Sequence, residues 1–154
     1  MAEDFDDTVA TTLPPVAADI AHGTARCLID MGYAPVAELP LANGRRADIT
    51  AIDRKGHVVI VEIKSSRADF LSDRKWPDYL EFCDAFYFAV APGFPRELLP
   101  QDEGLILAER FQGAIERPAV LRPMAAARRK ALLLRFARLA ALRLQGQVDP
   151  LAAL

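Results

Sequence analysis

Residues 45–66 read RRADITAIDRKGHVVIVEIKSS, and their pattern decides the fold. His57 to Ser66 is rich in Val and Ile and reads as a strand. Side chains alternate along a strand, so Val59, Val61 and Ile63 share one face, and Val58, Ile60, Glu62 and Lys64 the other. A carboxylate and an ammonium thus leave a very apolar strand on the same side. Charges in such a place are costly unless paired or functional. Arg46 to Asp53 alternates and reads as the partner strand. If Arg54-Lys55-Gly56 is a three-residue hairpin loop with Gly56 left-handed, Asp53 faces His57 and Asp48 faces Glu62. Directly opposed residues point to one side with Cβ atoms about 5 Å apart. Two carboxylates that close repel unless a proton or a cation lies between them. A hard divalent cation, Mg²⁺ or Mn²⁺, answers this, because Mg²⁺ typically takes one or two carboxylates plus water and phosphate. Lys64 next door can orient water or stabilise charge on phosphate, the arrangement of metal-assisted hydrolysis.

Upstream, Asn43-Gly44 is a hairpin turn signal, and Val36 to Leu41 reads as a strand paired with Arg46 to Asp53. Pro14 and Pro15 suit a helix start. Ile20, Thr24, Cys27, Leu28 and Met31 recur at helical spacing, and Gly32 suits a C-terminal cap. Residues 1–13 are acidic and Thr-rich, and read as a mobile tail before a single domain over 14–154. Downstream, Asp69 to Cys83 has helical spacing interrupted at Pro77. Asp84 to Ala91 and Gly104 to Glu109 read as strands, 111–123 as a further short strand or extended arm, and Ala125 to Gln145 as a long helix.

Composition bounds the function. A chain of 154 residues that is 52% hydrophobic can bury a real core. The net charge of -2 argues against a protein that is basic throughout. The charges are uneven, however: Arg122 to Arg143 carries seven basic residues and no acid, compatible with an anionic partner. Cys27 and Cys83 form no CxxC pair, which speaks against zinc or thiol redox chemistry and for a cytoplasmic protein with reduced thiols. Neither a signal peptide nor a membrane span is expected.

An E-x-K tripeptide alone carries almost no information. Asp48, thirteen intervening residues, then Glu62-Ile63-Lys64, set in a helix–strand–strand–strand–helix–strand order, carries much more. This pattern resembles the PD-(D/E)xK nuclease superfamily. The segments NGRRADITAID, VVIVEIKSSRADFLSDRKWPDYLEFCDAFYFAVAPGFP and LLPQDEGLILAE resemble, more closely, its MmcB-like DNA repair proteins of bacteria, over roughly residues 36–109. The resemblance implies an α/β fold of restriction-endonuclease type, with a central mixed sheet flanked by helices. It implies metal ligation by Asp48, Glu62 and the Ile63 carbonyl, and assistance to water attack by Lys64. Ala47 stands where the superfamily usually has Pro, which weakens the motif. The expected activity is hydrolysis of DNA phosphodiester bonds with Mg²⁺ or Mn²⁺. The alternative is a non-catalytic module that binds a DNA structure alongside other repair proteins. Cutting both strands of a duplex needs two sites, hence a homodimer.

Other residues support a DNA site, each beside a plainer reading. Arg45 and Arg46 can hold phosphate by bidentate contacts, or be solvated turn residues. Glu38 is a candidate third carboxylate, or an edge charge. Ser66, with Ser65, can donate to phosphate or end the strand. Many nucleases of the superfamily place a polar helix residue beside the site, which suggests Lys75 and Tyr79 here. Trp76 can stack on a base but is more often core. On the last helix, Leu132, Leu133, Phe136, Leu139 and Ala140 form an apolar stripe. Arg128, Arg135 and Arg138 follow another stripe, either a DNA contact or a solvated face. His22 and His57 have no partner legible in the sequence.

Overall fold

The computed structural model describes residues 17–152. The expected tail over 1–13 and the helix start at Pro14-Pro15 lie outside them. Helix α1 is Ala17–Asp30, followed by strands β1 (Ala34–Pro40), β2 (Arg46–Ile52) and β3 (Val58–Ile63). Then come α2 (Arg67–Ser72), a 3₁₀ helix (Trp76–Phe82), β4 (Ala85–Val90), β5 (Gly104–Glu109), β6 (Gln112–Arg117) and α3 (Ala126–Val148). The six strands form one sheet in chain order. β1, β2 and β3 pair antiparallel, β3, β4 and β5 parallel, and β5 and β6 antiparallel, a mixed sheet with helices on both faces. No helix among the described residues is long and apolar enough to cross a membrane.

Turn chemistry sets the register. Gly56 has φ +83°, and the Asp53 and His57 backbones bond across the loop, so the three-residue hairpin forms as the sequence predicts. The Asp53 carboxylate braces it, accepting from the Lys55 and His57 amides and facing His57 Nδ1 at 2.8 Å. This gives His57 a local partner that the sequence did not reveal. At the first hairpin, Leu41 N–H donates to Arg45 O and Gly44 takes φ +83°. The loop is therefore Ala42-Asn43-Gly44, with one residue more than the Asn-Gly pair.

Each face of the sheet buries a separate core. On one, Ile49, Ala51, Val59, Val61 and Ile106 meet Ile20, Cys27 and Leu28 of α1. Gly23 permits this approach, because a Cβ there would lie 1.8 Å from Glu109 O. Met31, expected in the apolar stripe of α1, is exposed, since Gly32 (φ +91°) ends the helix and turns the chain to β1. On the other face, Val58, Ile60, Phe86 and Phe88 meet Tyr79, Phe82, Leu132 and Phe136. Trp76 packs here at 5.7 Å from the Phe86 ring, the core role favoured by its rarity. Asp84 ties α3 to the sheet: its carboxylate takes Arg129 at 2.5 and 2.6 Å, Val58 N–H at 2.7 Å and Met124 N–H at 3.0 Å. Cys27 and Cys83 are buried free thiols.

Candidate metal and nucleic-acid site

The regular sheet gives way at Asp48. Straight alternation would put Ala47 and Ile49 on one face, yet they lie in opposite cores. β1 slips at the same level: Val36 and Leu39, three apart, share a core, and between them Glu38 takes φ +54°. The pairing skips Glu38 and Asp48 while Ala37–Ile49 and Leu39–Ala47 keep register on either side. A non-glycine residue held left-handed inside a strand stores backbone strain, and such strain gathers at functional sites.

The β2–β3 ladder also stops there, its last pair being Ile49–Val61. Beyond it side chains replace backbone rungs. Asp48 N–H donates to Glu62 Oε1 at 2.9 Å, and Ile63 N–H donates to Asp48 Oδ2 at 2.8 Å. The count that sets Asp48 against Glu62 therefore holds. The simple picture of two side chains standing on one pleated face does not, because the strands open and the carboxylates enter the gap. Among the described residues, no amide, hydroxyl or ammonium donor meets Asp48 Oδ1 or Glu62 Oε2.

Both carboxyls are raised above their usual range. Burial is the largest cause for each; for Glu62 the neighbouring Asp48 charge adds to it and brings the group to about 8. Two carboxyls this close repel as anions, and a cation between them relieves that repulsion. The donors are hard oxygens, a set that fits Mg²⁺ or Mn²⁺. Metal would be held by Asp48, Glu62 and the Ile63 carbonyl together with water and phosphate. Among the described residues no group of three His, Cys, Asp or Glu side chains has the arrangement of a metal cage. Glu38 therefore lines the cleft without completing a three-acid cluster. The cleft measures about 440 Å³ and is walled by Ala17, Ala18 and Ala21 of α1, with Glu38, Asp48, Glu62, Lys64 and Asp69.

Lys64 is buried at the end of β3, and its Nζ donates to Asp73 Oδ2 at 2.6 Å with Asp69 Oδ1 at 4.0 Å. Asp73 is itself fixed, since its Oδ1 accepts the Lys75 amide. Burial raises the Asp73 carboxyl, but the Lys64 hydrogen bond and the Lys75 amide outweigh it and hold it below the usual range. Neither Asp69 nor Asp73 has a role legible in the sequence. Asp69 lies on α2 and Asp73 is its C-cap, so the short helix sets both beside Lys64.

The other expected contacts divide. Arg45, Arg46 and Lys75 are solvent-accessible; Arg45 Nε lies 3.4 Å from Asp78. Ser66 caps α2, its Oγ accepting from Asp69 N–H, so starting that helix is its visible work. Tyr79 is a correction: it is buried, and its hydroxyl donates to Arg46 O at 3.1 Å, bracing β2 rather than facing solvent. Lys75 precedes a 3₁₀ helix, so it and Tyr79 are not neighbours on an α-helical face.

Known proteins place this geometry in context. A solved structure described as the SPO1766 protein of unknown function from Silicibacter pomeroyi is 44% identical, with a TM-score of 0.85 over 90% of this chain and 94% of that one. A repair endonuclease from Pyrococcus abyssi is similar at 22% identity and a TM-score of 0.40, over 70% of this chain and 49% of that one. No curated protein matches. The family of DNA repair protein MmcB-like sequences matches over residues 6–151, nearly the whole chain, and the chain belongs to that family.

Proposed function

We propose that the chain is a metal-dependent nuclease that hydrolyses DNA phosphodiester bonds, with Asp48 and Glu62 as its acidic pair. The observation that carries this is the interlocked pair of half-buried Asp48 and buried Glu62 at the point where β2 and β3 part. Each carboxylate is oriented by one amide, and among the described residues its other oxygen meets no donor. Mg²⁺ or Mn²⁺, when bound, supplies Lewis acidity and lowers the pKa of bound water. Asp73 holds the Lys64 ammonium beside the pair, where it offsets negative charge gathered on a phosphate. Arg45 and Arg46, on the hairpin before Asp48, contact the phosphate backbone.

One observation favours a second reading, a non-catalytic module that binds a DNA structure. Lys64 is already committed to Asp73, and a committed lysine has less freedom to serve a reacting group. A panel of single strands, flaps, mismatches and junctions, incubated in Mn²⁺ with wild type and Glu62→Ala, separates the two. The nuclease reading expects cleavage that Glu62→Ala abolishes. Cleavage that survives the substitution, or metal-independent binding with no cleavage anywhere, rejects it.

A further inference from the structure

We infer that the outward basic stripe of α3, with the first hairpin beside it, is a docking surface for the backbone of duplex DNA. This rests on the reading of the chain as a DNA-processing protein, and it does not depend on cleavage. α3 carries Arg128, Arg129, Lys130, Arg135, Arg138 and Arg143 and no acidic residue, in a chain of net charge -2. Structural duties account for part of this excess. Arg129 serves Asp84, and Arg143 donates to the Ala37 and Glu38 carbonyls. Arg135 and Arg138 are exposed, and among the described residues neither has a hydrogen-bond or ion-pair partner. Arg128 shares their stripe, with an exposed pair to Glu81 at 2.5 Å that gains little in water.

The helical rise of 1.5 Å per residue spreads Arg128 to Arg138 over about 15 Å. A duplex presents one charge per about 1.7 Å of axis, so such a row meets several phosphates at once. The stripe also adjoins the first hairpin. Arg128 and Arg135 line a depression with Leu41 and Ala42, and the same hairpin continues through Arg45 and Arg46 into Asp48. A backbone lying on α3 thus also meets the first hairpin. Acidic proteins and anionic membranes are rival anions, and the test must exclude them.

Binding of a labelled duplex of about 20 base pairs is measured in EDTA over a range of salt, with heparin-free protein. Wild type, Arg135→Ala/Arg138→Ala and Arg135→Lys/Arg138→Lys are compared. Each phosphate contact removed lowers the slope of log affinity against log salt by about 1. The double alanine variant should lose about 2 in slope and at least tenfold in affinity, while the lysine variant keeps the slope. An unchanged slope in the alanine variant, or no duplex binding by wild type, overturns the inference. So does a variant whose loss is confined to phosphatidylserine vesicles or polyglutamate. Cleavage with an unchanged slope sinks this inference and spares the nuclease; a lowered slope without cleavage does the reverse.

Discussion

Asp48 donates its amide to the carboxylate of Glu62, so the two acidic residues are joined through backbone as well as through shared charge. The bond replaces a rung of the β2–β3 ladder and lies where β1 also slips, at Glu38. Placing the acids costs regular pairing in three strands at once.

Removing Lys64 should separate binding from chemistry. Lys64→Met keeps much of the buried stem and removes the charge. Metal binding should persist while cleavage falls on the order of 10²-fold or more, the scale of losing one preorganised charge-stabilising group. Asp73→Asn should lower the rate of cleavage more than it weakens DNA binding, because Asp73 acts by holding Lys64. Mn²⁺ calorimetry and single-turnover cleavage check both; loss of metal binding in Lys64→Met would refute the division of labour.

Gly23→Ala sets two effects against each other. Alanine is the better helix former by about 1 kcal/mol. Here its Cβ would fall 1.8 Å from Glu109 O and 2.5 Å from Gln112 O, backbone atoms that cannot swing aside. The clash should win, destabilising the protein by about 3 kcal/mol. Urea unfolding measures it, and a stabilised variant would show that α1 packs less closely on the β5–β6 hairpin.

Asp84 should govern acid stability. Burial raises its carboxyl, but the Arg129 guanidinium and the Val58 and Met124 amides outweigh this and bring it to about 2, from an ordinary 3.8. A depressed folded pKa stabilises the protein above the unfolded value, and that contribution is lost as pH falls from about 4 towards 2. Thermal unfolding of wild type should therefore weaken over this window, and Asp84→Asn should flatten the dependence. Arg129→Met, which leaves a buried carboxylate unpaired, should cost about 3 kcal/mol at neutral pH.

What the sequence made legible follows from the range of the forces involved. Gly56 is local: it demands a left-handed loop, the loop fixes the register, and the register sets Asp48 against Glu62. The alternation of β3 is equally local, and its core faces are as read. The slip at Glu38 and Asp48 is not, because strict alternation is a property of regular strands and the site is built where they are irregular. Tyr79 fails as a DNA contact for a related reason. Its hydroxyl finds Arg46 O, which a reading along one segment cannot anticipate. The Lys64–Asp73 and Asp84–Arg129 pairs likewise need the tertiary fold to bring their partners together.

The central claim is that Asp48 and Glu62 share a divalent cation. Its most direct test is calorimetric titration of Mn²⁺ into wild type, Asp48→Asn and Glu62→Gln, all shown folded by thermal unfolding. Saturable binding by wild type, lost in both variants, is the predicted result. Absence of saturable binding by wild type, or equal binding by all three, would contradict it.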